Sequence, residues 1–303
     1  MLQTYQSSDR VPSKFFIEAP LALAGAAILG AVYQVIMHYL PLIYLDAIIC
    51  VGMGIATGYA VRLLIKSTHC RNKLAGAGLG LAAALVAVAV GHYVEYRFNR
   101  PGMLAGAPPD ILAILEAKLT FWQYIEIRAD AGWSIGKAGS TNANSPTISG
   151  AMSYVIWGIE AIIIAAGAIY GSFTATREPY CDSCNKWADH KMVNLSVPAS
   201  SALVQQISAA TSVDALLPAP DAPDVATPNT ILYTITSCPA CKTFHTLKVD
   251  HQTIVANGKN IETKSNTLRE RILLSSTDVA RFVPAIAPPT SPAADADTPP
   301  ASA

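Results

Sequence analysis

The chain has 303 residues, of which 51% are hydrophobic and only 14% charged, and its mean hydropathy is +0.34. This composition is too apolar for an ordinary soluble protein, and a net charge of zero excludes the basic surface that binds nucleic acid. Long apolar runs fill residues 1–175, whereas residues 176–303 are more polar and rich in proline.

Four segments predict membrane-spanning helices, because each approaches the roughly 20 apolar residues that cross a bilayer core. They are residues 19–40, 42–65, 74–94 and 153–173. In lipid every backbone amide and carbonyl must be paired within its own segment, so we expect helices. Four buried helices of a soluble protein are the alternative, which the length and uniform apolarity of the runs disfavour.

Basic residues near the helix ends predict the orientation of the chain, since the cytoplasmic side is enriched in lysine and arginine. With four crossings, residues 1–18 and the C-terminal part share one side. That side carries Arg10, Lys14, Arg62, Lys66, Arg71, Lys73 and Arg177, whereas the other side carries Arg97 and Arg100. We therefore expect both termini in the cytoplasm and an integral protein of the plasma membrane, which in bacteria is the inner membrane.

Small residues indicate how the helices meet. Gly54 and Gly58 in the second segment, and Gly167 and Gly171 in the fourth, have the four-residue spacing that lets helix backbones approach closely.

Residues 95–152 form a long extracytoplasmic connection with a predicted amphipathic helix. Pro108, Pro109 and Asp110 are typical of a helix start, and Trp122 and Tyr124 suit the level of the lipid headgroups. The helix either lies on the outer membrane surface or belongs to a small cap packed on the bundle, and the sequence leaves both open.

Four of the six cysteines form two C-x-x-C pairs, Cys181 with Cys184 and Cys238 with Cys241. In a reducing compartment such pairs predict a metal site. Each turn brings two thiolates together, so two turns supply the four ligands of a tetrahedral zinc ion. The alternatives are iron on the same thiolates, a redox-active C-x-x-C and, if the orientation is inverted, disulfides. Full thiolate coordination leaves no position for water, so the predicted zinc is structural.

The motifs YCDSCNKW and SCPACKTF resemble the two knuckles of a zinc ribbon, a small β fold in which each knuckle caps a hairpin. The resemblance covers roughly residues 180–275 and implies a cytoplasmic zinc-ribbon-like domain over residues 174–282. The chain departs from the pattern twice. Residues 185–237 make a much longer spacer than the usual 15–20 residues or so, and Asn185 and Lys242 stand where a glycine often follows the second cysteine.

Several local signals describe the rest of this domain. A proline- and alanine-rich insert near residues 211–229 predicts a flexible loop, and residues 283–303 have the composition of a disordered tail. Ser276 is placed to cap a short final helix. A short helix is predicted at 200–208 and strands at 230–236, 242–249 and 252–264, with a tight turn at Asn257 and Gly258. We expect the metal to supply rigidity that so small a core cannot.

Polar residues in the apolar segments indicate a second candidate site. Glu160 lies about 10 Å into the fourth helix at about 1.5 Å per residue, and an intramembrane carboxylate is costly unless neutralised or paired. His38, Asp46 and His92 fall near the same membrane face, so the four residues would form a proton- or cation-handling site if they converge. The alternative is a protonated Glu160 bonded to a neighbouring helix, with the other three at the interface.

These patterns predict an α-helical multi-pass membrane protein with four transmembrane helices and a small C-terminal β-rich, zinc-ribbon-like domain. The simplest function is that of a non-enzymatic, membrane-anchored zinc-binding protein whose cytoplasmic domain docks a protein partner or a second copy of the chain. The alternative is a small proton- or cation-coupled transporter or channel that uses Glu160. An enzyme ranks last, because the sequence has no nucleophile elbow, phosphate-binding loop or HExxH motif.

Overall fold

The computed structural model describes residues 2–39, 43–105, 108–134, 147–217, 229–257 and 260–282. These residues divide into two compact units. Residues 7–177 form a helical unit, and residues 178–282 together with residues 2–6 form a β-rich unit. The sequence interpretation did not assign the first residues of the chain to the β-rich unit.

The helical unit contains six helices within its described residues. They are α1 (Ser13–Tyr39), α2 (Ile43–Thr68), α3 (Lys73–Leu104), α4 (Pro109–Lys118), α5 (Phe121–Ala131) and α6 (Ala151–Thr176). Four of them, α1, α2, α3 and α6, are long and apolar enough to cross a membrane. Each predicted segment therefore coincides with a helix, and α3 extends furthest beyond the prediction, from residue 94 to Leu104.

The apolar side chains of these four helices largely face outward. Only 22% of the most apolar part of α1 and of α6 is buried, and the largest buried share, in α2, is 44%. Ile17, Leu21, Leu74 and Ile162 are each at least 69% exposed. Soluble proteins rarely leave contiguous apolar surface of this extent open to water, so the surface fits a bundle surrounded by lipid.

The predicted close approach of helix backbones is confirmed and occurs between α2 and α6. A Cβ atom built on Gly58 would lie 2.8 Å from the carbonyl oxygen of Gly167, and one built on Gly167 would lie 2.9 Å from the carbonyl carbon of Gly54. Gly171 faces Gly58 at 3.1 Å in the same way. The two glycine pairs therefore pack against each other, with no room for a side chain between the helices.

The connection after α3 forms two helices where the sequence predicted one. Thr120 separates them because it begins α5 with a capping box: its hydroxyl accepts a hydrogen bond from the Gln123 amide, and the Gln123 side chain accepts one from the Thr120 amide at 3.0 Å. The short strands β1 (Trp133–Ser134) and β2 (Thr147–Ile148) pair antiparallel. Residues 135–146, between these two strands, lie outside the described residues.

Helix α5 packs on the bundle, in agreement with the cap interpretation. Tyr124 and Ala129 of α5 are 3% and 0% exposed. Ser153 of α6 donates a hydrogen bond to the Ala129 carbonyl at 3.0 Å, and Tyr96 of α3 donates one to the Leu119 carbonyl at 2.9 Å. In contrast, most side chains of α4 are exposed.

The β-rich unit contains an antiparallel four-stranded sheet in the order β5-β6-β7-β8 and a separate small hairpin, β3–β4. Asn257 pairs with Asn260, which brackets the predicted hairpin turn. Gly258 itself, residues 218–228 of the predicted insert and the predicted tail 283–303 lie outside the described residues. The elements are β3 (Tyr180–Cys181), β4 (Lys186–Trp187), β5 (His190–Pro198), α7 (Ser201–Ala209), β6 (Asn229–Ser237), β7 (His245–Asn257), β8 (Asn260–Leu274) and α8 (Ser276–Phe282).

One face of the sheet forms a hydrophobic core with α7 and α8. Tyr233, Ile235 and Leu247 from the strands are fully buried, as are Ile207 of α7 and Phe282 of α8. The expectation that a metal must replace a missing core is therefore wrong, because the unit has an apolar core of its own. Helix α8 is capped one residue earlier than predicted, since the Asp278 amide donates to the Ser275 hydroxyl.

The N-terminal segment, residues 2–6, lies along the end of β8. The Leu273 amide donates to the Gln3 carbonyl at 2.7 Å, and the Tyr5 amide donates to the Arg271 carbonyl at 2.7 Å. Thr4 forms an antiparallel bridge with Ile272 between these two bonds. The segment therefore extends the sheet beside β8.

Candidate metal centre

The first C-x-x-C turn connects the two strands of the β3–β4 hairpin. Cys181 pairs with Lys186 and Tyr180 with Trp187, so the remaining cysteine, Cys184, lies in the turn between the strands. Asn185, directly after it, has a left-handed backbone with φ +53°. Asparagine tolerates this conformation better than most residues, which explains how the turn closes without glycine.

The second turn lies between β6 and β7 and repeats this geometry. The Cys238 amide donates to the Phe244 carbonyl at 2.9 Å, and the Lys242 amide donates to the Cys238 carbonyl at 3.1 Å. Lys242, directly after Cys241, has φ +56°. In both turns the residue directly after the second cysteine, Asn185 or Lys242, therefore has a left-handed backbone, at the position where the zinc-ribbon pattern often has glycine.

The two turns bring the four predicted ligands together. The Sγ atoms of Cys181, Cys184, Cys238 and Cys241 all lie within 4.8 Å of one another, and those of Cys181 and Cys241 are 3.8 Å apart. A tetrahedral site with metal–sulfur bonds of about 2.3 Å has sulfur–sulfur edges of about 3.8 Å, whereas a disulfide bond is about 2.05 Å long. The Cys181–Cys241 distance equals such an edge, and the four sulfurs lie close enough together to hold one metal ion.

The backbone of the second knuckle stabilises negative charge on one sulfur. Hydrogen bonds from the Thr243 side chain, and then from the amides of Thr243 and Phe244, lower the pKa of Cys241 to about 5. The neighbouring thiol of Cys184 keeps its proton. The hydrogen bond to Cys241 is the main cause that raises the pKa of Cys184 to about 12. The pKa of Cys241 is lowered because the second knuckle holds these hydrogen-bond donors beside the sulfur atom. A bound cation would displace the remaining protons, because only thiolates ligate metal.

Aromatic rings flank both knuckles. Tyr180 is 1% exposed, and its ring meets that of Trp187 edge to face at 5.0 Å. Phe244, next to the second knuckle, meets Tyr5 edge to face at 5.8 Å. The two cysteine motifs include Tyr180 and Phe244, whereas Tyr5 is distant along the chain and no local pattern marks it.

The structure places the four candidate membrane residues in different surroundings. His38 stacks on Phe98 of α3 with ring centres 5.3 Å apart, and His92 meets Trp157 of α6 at 5.5 Å. Glu160 is half-buried on α6. The side chain of Asp46 lies outside the described part of the structure. Convergence of the four on one site stays a prediction.

A buried ion pair that the sequence interpretation missed joins α5 to the bundle. Glu95 of α3 is 6% exposed and forms a salt bridge with Arg128 of α5. The His92 Nδ1 atom lies 3.8 Å from the Glu95 carboxylate, and the Arg128 guanidinium lies over the Trp157 ring at 5.5 Å. The sequence signal for the contact between His92 and Glu95 was their three-residue spacing, which places both residues on one side of a continuing helix.

Comparisons with protein-family models, with curated proteins and with solved structures gave no significant match.

Proposed function

We propose that this protein is a non-enzymatic integral membrane protein that presents a metal-binding β domain on the cytoplasmic face of the plasma membrane. The metal-stabilised domain serves as a docking module for a protein partner or for a second copy of the chain. The single observation that carries the proposal is the cluster of four cysteine Sγ atoms within 4.8 Å, held by two knuckles of the same local form.

The anchor function is supported by the four long apolar helices and their outward-facing side chains. Four crossings return the chain to the side on which it began. The composition of the β-rich unit supports an even number of crossings, because the unit contains residues from before α1 as well as residues after α6. The basic residues flanking the helices on that side favour the cytoplasm.

Zinc is the proposed ion. Four thiolates close a tetrahedral site, as in structural zinc centres, and leave no open position for a substrate. Iron fits the same four ligands and differs in being coloured and redox-active, so absorption spectroscopy of the purified protein distinguishes the two. On this proposal the ion fixes the two knuckles and thereby one end of the β-rich unit.

The docking function is supported by the exposed end of the β7–β8 hairpin. Asn229, the first residue of β6, pairs with Thr253, whereas β7 continues to Asn257. The hairpin therefore extends past its neighbouring strand. Ile254 and Val255 in this extension are 48% and 37% exposed. As neighbours on one strand they face opposite sides of the hairpin, and each exposed apolar side chain is a suitable contact for another protein.

Replacement of single cysteines in the full-length protein tests the proposal. We expect one metal ion per chain in the wild type and in Cys70→Ala, which alters a buried cysteine of the helical unit. Cys241→Ser and Cys184→Ser should lose the ion and still fractionate with the membrane, because the anchor does not depend on it. A wild type without metal, or cysteine variants that keep it, would overturn the proposal.

A further inference from the structure

The N-terminal segment is held by three backbone hydrogen bonds within the β-rich unit. Two join Gln3 and Tyr5 to β8, and the third runs from the Leu2 amide to the Thr211 carbonyl at 2.8 Å. The side chains of Gln3 and Thr4 are exposed, whereas Tyr5 is 8% exposed. Tyr5 is therefore the side chain through which the segment packs most closely on the unit.

Tyr5 packs on a residue whose position depends on the metal knuckle. Its ring meets Phe244 edge to face at 5.8 Å, with an interplanar angle of 82°. Phe244 in turn is bound to both cysteines of the second knuckle: its carbonyl accepts from the Cys238 amide at 2.9 Å, and its amide donates to the Cys241 sulfur. Tyr5 is thus linked through Phe244 to two of the four candidate ligands, Cys238 and Cys241.

A bound metal would hold the second knuckle against strain in its own backbone. Lys242 holds a left-handed backbone conformation that is unfavourable for a lysine, and four sulfur atoms lie within 4.8 Å. A cation on all four sulfurs would add to the backbone hydrogen bonds that hold the second knuckle, so its loss would remove one constraint on the strained turn. Relaxation displaces Phe244 and removes the surface on which Tyr5 packs.

We propose that metal binding at the four cysteines controls the docking of the N-terminal segment. With metal bound, residues 2–6 lie along β8. When the metal leaves, the segment is released, while the core around Tyr233, Ile235 and Leu247 keeps the sheet folded. This inference rests on the metal site proposed above. Because coupling between two binding equilibria is reciprocal, the docked segment must also raise the affinity of the site for metal.

Hydrogen exchange of the full-length protein in detergent micelles, with and without a zinc chelator under reducing conditions, tests the release. We expect exchange in residues 2–6 to rise about two- to tenfold after chelation, the range that loss of the Tyr5–Phe244 contact supplies, together with that in residues 238–245. Residues 231–235 of β6 should stay protected. Unchanged protection of residues 2–6, or simultaneous loss of protection throughout the unit, would overturn the inference.

Side-chain variants test the reciprocal effect. Tyr5→Ala should weaken the affinity for zinc about two- to tenfold, measured by equilibrium competition with a chromogenic chelator, because an edge-to-face aromatic pair contributes this range. Tyr5→Phe retains the ring and should behave as the wild type. Thr4→Ala is the matched control, because it changes an exposed side chain in the same segment. Zinc in the wild type with equal zinc affinities for Tyr5→Ala and Thr4→Ala would refute this inference alone, whereas a wild type without bound metal would refute the metal site.

Discussion

A single methyl group between α2 and α6 should destabilise the helical unit. In Gly58→Ala the new Cβ would lie 2.8 Å from the Gly167 carbonyl oxygen and 3.2 Å from the Ala168 Cα atom. Carbon–oxygen contacts of this kind normally lie at about 3.3–3.6 Å. The neighbouring atoms are backbone and cannot rotate away, so the two helices must separate by about 0.5–0.8 Å.

This separation weakens the whole contact between the two helices. A gap of about 0.5–1 Å forfeits a quarter to a half of each dispersion interaction across it, and overpacking of a close contact costs about 1–3 kcal/mol. Alanine also has a higher helix propensity than glycine, by about 1 kcal/mol, which offsets part of the loss. The measured effect of Gly58→Ala alone therefore understates the packing cost.

A second glycine of α2 separates the two effects. A Cβ on Gly52 would meet nothing within 4 Å, so Gly52→Ala gains the helix propensity without the clash. We expect Gly58→Ala to be less stable than Gly52→Ala by about 1–3 kcal/mol, measured by thermal or denaturant unfolding in the same detergent. Equal stabilities would refute the close packing of α2 on α6.

Three further predictions concern the cap, the second knuckle and the orientation. Glu95→Gln should destabilise the helical unit by about 1.5–3 kcal/mol and make α5 more sensitive to protease, because the Arg128 guanidinium loses its carboxylate. Glu126→Gln, at an exposed position of α5, is the control. Equal effects of the two substitutions would contradict the role of the ion pair. Lys242→Gly should raise the unfolding temperature of the metal-loaded protein through a net gain of about 0.5–1 kcal/mol, because relief of the left-handed strain exceeds the entropic cost of glycine. The control, Lys264→Gly in β8, should lower the unfolding temperature. A decrease for both variants would exclude strain at Lys242. A tag after residue 303 should resist protease added to intact cells and be digested after lysis, and digestion in intact cells would reverse the orientation.

The sequence was most informative where one physical requirement acts on adjacent residues. The length of a bilayer core sets the length of the apolar runs, so all four long helices were predicted, although their ends were not. The four-residue glycine spacing likewise reflects contact along one helix face, and Gly54, Gly58, Gly167 and Gly171 do form that contact. The C-x-x-C spacing reflects the reach of two thiolates within one turn, so the two knuckles were also recognisable.

The features that the sequence did not reveal depend on residues far apart in the chain. The end of α3 was placed too early because Glu95 interrupts the apolar run, and its partner Arg128 belongs to another helix. Tyr5 packs on Phe244 across most of the chain length. The core of the β-rich unit was underestimated, since its buried residues come singly from many short elements and a zinc-ribbon resemblance implies a smaller fold.

X-ray absorption spectroscopy of the full-length protein, purified under reducing conditions, tests the four-cysteine metal site most directly. We expect one metal ion per chain, with zinc surrounded by four sulfur atoms at about 2.3 Å and no oxygen or nitrogen ligand. A first coordination sphere with fewer than four sulfurs, or a protein that contains no metal, would contradict it.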